Sequence, residues 1–120
     1  LVVDDSASVR RLVRRALEPE GYCVLEAADG RAALAVLADT DVALVLVDVH
    51  MPEMDGFALL EALRADPRHR FVPVLVLSVD GDEHMKARGR AAGATGWLVK
   101  PFDPARLRVV VRTVLRRPAA

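Results

Sequence analysis

The sequence predicts an α/β fold, a doubly wound sandwich whose parallel sheet carries helices on both faces. Three observations predict it. The runs Val42 to Val47 and Val72 to Leu77 are continuously aliphatic, without the alternation of a half-exposed strand, so both read as strands buried on two sides. Segments of helical period separate such runs along the whole chain, and parallel strands joined by helices need right-handed crossovers. Each strand stops abruptly at a polar residue or turn.

The elements follow in order. Leu1 to Val3 is an apolar run that ends at Asp4-Asp5. A helix comes next, with Val9, Leu12, Val13, Ala16 and Leu17 on one face and Arg10, Arg11, Arg14 and Arg15 on the other. Pro19 and Gly21 end it. Tyr22 to Glu26 reads as the second strand, Asp29-Gly30 as a turn, and Ala32 to Ala38 as a short helix turning Leu34 and Leu37 inward. The third strand, Val42 to Val47, ends at Asp48. After the turn Met51-Pro52-Glu53-Met54-Asp55-Gly56, a helix puts Phe57, Leu60 and Leu63 on one side. The fourth strand ends at Ser78, and a helix runs through about Ala92. Gly96 to Val99 is the fifth strand, stopped by Lys100-Pro101. Asp103-Pro104 supplies an N-cap and a proline at the first helical position for a last helix packing Leu107, Val110, Val111, Val114 and Leu115. Residues 1–120 make one domain of five strands and five helices, with 116–120 read as a tail or the start of a linker.

Composition agrees with this plan and excludes several classes. The 120 residues carry 17 Lys plus Arg against 17 Asp plus Glu, so the balance suggests no nucleic-acid, membrane-surface or polyanion binding. Hydrophobic residues make up 52%, with three Phe, one Tyr and one Trp, so the core is built from Val, Leu and Ala. The longest apolar stretches, Ala32 to Ala38 and Val42 to Val47, fall far short of the roughly 18 residues a membrane span needs, and no charged-then-apolar leader opens the chain. One cysteine, Cys23, cannot form an internal disulfide or a cysteine metal site, which fits a cytoplasmic setting. Cys23 is expected in the core as a small hydrophobe. His69 is expected at a loop surface, and Met51 and Met54 as packing residues of their turn. His50, His69 and His84 lack close metal spacing. No phosphate-binding glycine loop, dinucleotide fingerprint or Ser-His-Asp elbow is present.

Function is expected where the strands end, because ligands of such sheets bind at the carboxyl ends near the point where strand order reverses. Those ends carry Asp4, Asp5, Asp48, Ser78 and Lys100. With the common order 2-1-3-4-5, the first and third strands are neighbours and three carboxylates gather. At roughly 4–5 Å and an effective dielectric near 20, each like-charge pair costs on the order of 3–4 kcal/mol. Protonation or a hard divalent cation relieves that cost, and an incomplete all-oxygen set suits Mg²⁺ over Ca²⁺. A carboxylate beside a cation and an ammonium is a usable nucleophile toward phosphorus. Asp48 is the candidate nucleophile, Lys100 the ammonium, and the Ser78 hydroxyl a second donor. Lysine occurs only at Lys86 and Lys100 in this arginine-rich chain, which makes an ammonium at this strand end a specific choice.

These pieces carry a resemblance. Val-Asp-Asp-Ser, then Asp48-Val-His-Met-Pro-Glu-Met-Asp-Gly, then Val-Leu-Ser, then Lys100-Pro-Phe resembles the receiver domain of two-component response regulators, over essentially the whole chain. The stretch from Gly89 to Pro104 is similar to the single-domain chemotaxis regulators of the CheY type. The resemblance implies a flavodoxin-like five-stranded sheet of order 2-1-3-4-5. It implies that Asp48 accepts a phosphoryl group from a phosphohistidine of a sensor histidine kinase. It further implies that Asp5, Asp48 and the backbone carbonyl of His50 ligate Mg²⁺, with Asp4 acting through water, and that Ser78 and Lys100 bind the phosphoryl oxygens. Pro101 would follow a cis bond. Trp97 takes the place of the switch aromatic, usually Tyr or Phe, and His50 and Asp80 fall where the family tunes acyl-phosphate lifetime. The output would be a reshaped face of the fourth helix, fifth strand and fifth helix that binds an effector, such as a flagellar motor component.

Three other readings stand beside this one. The chain opens at Leu1 without an initiator Met, which also suits a receiver fragment of a larger regulator or hybrid kinase. A phosphatase of the aspartyl-nucleophile class would place a second acid two residues after Asp48, where this chain has His50. A docking domain that takes no phosphate would not need the Asp, Asp, Asp, Ser, Lys set. The leading expectation is a signalling switch rather than an enzyme with a separate substrate, catalysing only its own phosphorylation and slow dephosphorylation.

Overall fold

The computed structural model describes residues 1–116, and the rest of the expected tail, 117–120, lies outside the described residues. Strand β1 (Val2–Val3), helix α1 (Ala7–Leu17), strand β2 (Glu26–Ala27), helix α2 (Gly30–Asp39), strand β3 (Val45–Asp48), helix α3 (Gly56–Ala65), strand β4 (Val74–Ser78), helix α4 (Glu83–Ala92), strand β5 (Gly96–Val99) and helix α5 (Pro104–Leu115) follow in order. All pairings are parallel, and the sheet runs β2-β1-β3-β4-β5, the expected order.

The two faces of the sheet bury different side chains because alternate residues of a strand point oppositely. Val3, Val45, Val47, Val74 and Val76 pack with α2 and α3 through Leu37, Phe57, Leu60 and Leu63. Val2, Leu46, Leu75, Leu77 and Leu98 pack with α1 and α5 through Val13, Leu17, Leu107 and Val111. The unbroken aliphatic runs are therefore the sequence of a sheet with helices on both sides. Among the described residues, no helix is long and apolar enough to cross a membrane.

Each helix begins on a polar cap, of which Asp103 is the one expected from the sequence. Side chains of Ser6, Asp29, Asp55, Asp82 and Asp103 accept hydrogen bonds from backbone N–H groups in the first turns of α1 to α5 respectively. Except for β5, which spans Gly96–Val99 as expected, the strands are shorter than their apolar runs. β2 is an edge strand whose single neighbour, β1, is two residues long, so the expected strand Tyr22 to Glu26 pairs only at Glu26–Ala27. β3 starts at Val45, whose N–H donates to the Pro73 carbonyl; Pro73 itself has no N–H to offer in return.

Two burial expectations are corrected. Cys23 is exposed, because the stretch before β2 alternates and places Val24 inward instead. His69 is buried, 4% exposed, because its turn is folded back by Arg64. The Arg64 guanidinium donates to the carbonyls of Gly93, His69, Arg70 and Val72, tying the turn after α3 to the end of α4. Met51 is buried and Met54 packs over Gly30, as expected of turn packing residues.

Candidate functional site

The register of the sheet assembles the site. Val3 pairs with Val47, so the residues one step further on, Asp4 and Asp48, leave adjacent strands side by side. Asp48 in turn pairs with Leu77, which puts Ser78 just beyond it on the next strand. Carboxylate oxygens of Asp4, Asp5 and Asp48 all lie within 4.8 Å of one another. Asp4 and Ser78 are fully buried, Asp48 is 5% exposed, and Asp5 is open to solvent.

Lys100 reaches this cluster from the far edge of the sheet. Its Nζ lies 2.6 Å from Asp4 Oδ2 and 3.4 Å from Asp48 Oδ1. The peptide bond to Pro101 is cis, as expected. The Lys100 N–H donates to the Ser78 carbonyl at 2.7 Å, which anchors the strand end that carries the ammonium. Asp4 Oδ1 accepts from the Ser6 N–H, and Asp48 Oδ1 accepts from the His50 N–H at 3.3 Å.

The electrostatics oppose one another inside the cluster. Burial pushes the Asp48 carboxyl above its ordinary value, and the Asp4 charge pushes the same way; Lys100 and the His50 N–H pull it back. One ammonium faces three carboxylates. The donor set is all oxygen, partly open at Asp5 and short of positive charge, so the residues present fit a hard divalent cation.

Asp80 and Trp97 connect to the site through Ser78. Ser78 Oγ accepts from the Asp80 N–H, which leaves the hydroxyl proton free to donate elsewhere. His50 is an exposed side chain, and Asp80 is half-buried. The Trp97 indole lies half-buried against α4, with its Nε1–H donating to the Asp80 carbonyl at 3.0 Å and its ring 6.3 Å from that of Phe57. Ser78, Asp80 and Trp97 are thus one hydrogen-bonded chain.

Two supports were missed in the sequence. Gly56 packs so tightly on the end of β3 that a Cβ there would sit 2.4 Å from the Asp48 carbonyl oxygen, and the Asp-Gly pair signals a turn but not that approach. Arg10 was assigned to the outer face of α1, yet its guanidinium donates to the Asp4 carbonyl at 2.6 Å and pairs with Glu26 at 3.1 Å. Helical period alone cannot separate an outer arginine from one that bends back over a strand end.

Comparison with known proteins places this geometry among relatives. A family profile described as "Response regulator receiver domain" matches residues 1–112. The chemotaxis response regulator CheY4 of Vibrio cholerae is 42% identical, with 94% of each chain covered and a TM-score of 0.91. The receiver domain of NtrX from Brucella abortus is 32% identical over 98% of each chain, with a TM-score of 0.89. The transcriptional regulatory protein SrrA of Staphylococcus aureus is 35% identical over 117 residues, 98% of this chain and 47% of SrrA. The chain spans about half the length of the curated relatives it matches.

Proposed function

The chain belongs to the response regulator receiver domain family, and from that premise we propose that it is a switch whose phospho-acceptor is Asp48. The observation that carries the reading is the buried Asp48 carboxylate held 3.4 Å from the Lys100 ammonium with two further carboxylates alongside. In the proposed step an Asp48 carboxylate oxygen attacks the phosphorus of a phosphohistidine on a sensor histidine kinase. The new O–P bond forms as the P–N bond breaks, and the electron pair stays on the imidazole nitrogen. Lys100 neutralises the phosphoryl oxygens and the Ser78 hydroxyl donates to one of them.

Asp5, Asp48 and the backbone carbonyl of His50 are the proposed Mg²⁺ ligands, with Asp4 acting through water. When bound, Mg²⁺ supplies the charge that balances three carboxylates and the incoming phosphoryl oxygens. His50 and Asp80 flank the acceptor and set how readily water reaches the acyl phosphate. Drawing Ser78 toward the phosphoryl group pulls on Asp80 and so on Trp97, which reshapes the α4–β5–α5 face for a downstream effector.

A chemotaxis-type output at the flagellar motor switch is supported by the likeness to CheY4 over nearly the whole of both chains. A second reading, the receiver module of a longer transcriptional regulator, is supported by SrrA, of which this chain covers 47%. Titration with beryllofluoride and Mg²⁺, followed through Trp97 fluorescence, tests the acceptor. The expected result is a saturable, Mg²⁺-dependent change that is lost in Asp48→Ala. If acetyl phosphate leaves the chain unmodified by mass spectrometry, the acceptor assignment fails and a phosphate-independent docking domain takes its place.

A further inference from the structure

The Asp5 carboxylate is the open member of the acidic cluster, and no neighbouring side chain holds it. Among the described residues it accepts no hydrogen bond and makes no ion pair, whereas Asp4 is held by Lys100 and the Ser6 N–H, and Asp48 by Lys100 and the His50 N–H. Yet its oxygen lies within 4.8 Å of theirs. Its place is set by the backbone, and so by the peptide that joins Asp4 to Asp5.

That peptide stands just past the end of the sheet. The Asp4 N–H still donates to the Ala27 carbonyl at 3.1 Å, but β2 ends there, and the Asp4 carbonyl has run out of strand partners. The Arg10 guanidinium takes the place of the missing donor, at 2.6 Å. Its Nε–H turns the other way, to Glu26 Oε1 at 3.1 Å, and the second Glu26 oxygen accepts from Arg14 at 2.9 Å. Glu26 pairs in register with Val2, so the carboxylate that aims Arg10 is itself fixed to the strand beside β1. With the Arg10 side chain only 18% exposed, water competes weakly for that carbonyl.

We propose that Arg10, aimed by Glu26, is a positioning residue for divalent cation binding: it fixes the Asp4–Asp5 peptide and through it the Asp5 carboxylate. The proposal rests on the reading of Asp5 as a metal ligand. A guanidinium spans both acceptors because its donors form a rigid fork, whereas a lysine ammonium is a point charge that serves one of them. Charge and position make opposite demands here. A cation near the site repels Mg²⁺, so on charge alone Arg10→Met would tighten Mg²⁺ binding and Glu26→Gln would loosen it. If Arg10 served only the fold, the folded variant would bind Mg²⁺ as the parent does. Positioning requires Arg10→Met to bind more weakly despite the lost repulsion.

The test is an NMR titration of Mg²⁺ into the full chain, with urea unfolding of each variant to fix its folded fraction. The expected affinity is about tenfold weaker in Arg10→Met and about threefold weaker in Glu26→Gln, with the double variant no weaker than Arg10→Met because Glu26 acts through Arg10. Arg14→Met removes an equal charge from the same carboxylate without touching the Asp4 carbonyl, and should stay within about twofold of the parent. Arg10→Lys serves where Arg10→Met does not fold, and should lose about fivefold. At saturating Mg²⁺ beryllofluoride should still bind Arg10→Met, because Asp48, Lys100 and Ser78 are untouched. The proposal is overturned if the folded Arg10 variants bind Mg²⁺ within about twofold of the parent or more tightly, or if the double variant returns to the parent's affinity. Loss of beryllofluoride binding at saturating Mg²⁺ would overturn it too, by placing the defect at Asp48. Failure on Mg²⁺ affinity leaves Asp5 as ligand and Asp48 as acceptor standing, whereas a parent chain that binds no Mg²⁺ overturns that reading together with this one.

Discussion

Lys100 Nζ meets Asp4 Oδ2 at 2.6 Å, joining residues 96 positions apart and closing the last strand end onto the first. Asp4 is fully buried and the lysine side chain only 15% exposed, so the pair is a desolvated one. Such pairs add little over an apolar replacement, but removing one partner strands the other charge.

Lys100→Met should therefore destabilise the fold by about 3 kcal/mol without Mg²⁺, because three carboxylates then face each other with no cation. Added Mg²⁺ should recover much of that loss, and Asp4→Asn in the same chain should recover part of it. Urea unfolding of the parent and the two variants with and without MgCl₂ checks this. Equal losses in the presence and absence of Mg²⁺ would remove the cluster as its cause.

Asp48→Asn should stabilise the chain at neutral pH by on the order of 1–2 kcal/mol. Burial and Asp4 raise the Asp48 carboxyl above its ordinary 3.8, so the folded state favours the protonated form. The sign follows from linkage: the raised group supports folding below its unfolded value of 3.8, and that support is lost as pH rises through the higher folded value. The advantage of Asn is accordingly largest near pH 7 and vanishes below about pH 3.8. Thermal melts of both proteins across that range measure it. The same variant should show no phosphoryl uptake.

Glu53 sits at φ +66 in the loop between β3 and α3, a left-handed conformation that disfavours a side chain. Its only ion pair among the described residues, with Arg31 at 4.0 Å, joins two exposed groups and offsets little of that cost. Glu53→Gly should raise stability by about 1 kcal/mol, read as a higher urea midpoint at unchanged slope.

The plan of the sheet was legible because a strand covered on both faces has no polar positions to hide, and because each acid or hydroxyl of the site stands at the point where an apolar run stops. Apart from the fifth strand, found at Gly96–Val99 as expected, strand lengths were not legible. Pairing ends where the neighbouring strand ends, so beside a two-residue β1 the ladder begins only at Glu26, with the Leu25 carbonyl accepting from the Val2 N–H, and Tyr22 to Val24 stay outside the strand whatever their own preferences. Cys23 and His69 were misplaced for a related reason. Cys23 is turned outward by the local alternation before an edge strand, and His69 is drawn inward by Arg64, five residues away on another element. The carboxylates were readable one by one, but Gly56 and Arg10 support them through contacts that no local pattern encodes.

Trp97 shows how such a contact can be tested. The indole has room because Gly89 of α4 faces it: a Cβ at position 89 would lie 2.9 Å from ring carbon Cζ3 and 3.2 Å from Cε3. Glycine inside a helix costs about 1 kcal/mol relative to alanine, so space for the ring is kept against helix propensity. In Gly89→Ala the propensity gain opposes a clash with a rigid bicycle, and the indole should be pushed from its bond with the Asp80 carbonyl. Its emission should then shift to the red, and coupling to beryllofluoride should weaken. In Gly89→Ala combined with Trp97→Phe the smaller ring removes the clash, so the same alanine should stabilise by about 1 kcal/mol relative to Trp97→Phe alone. If alanine stabilises equally in both backgrounds, the glycine does not serve the indole.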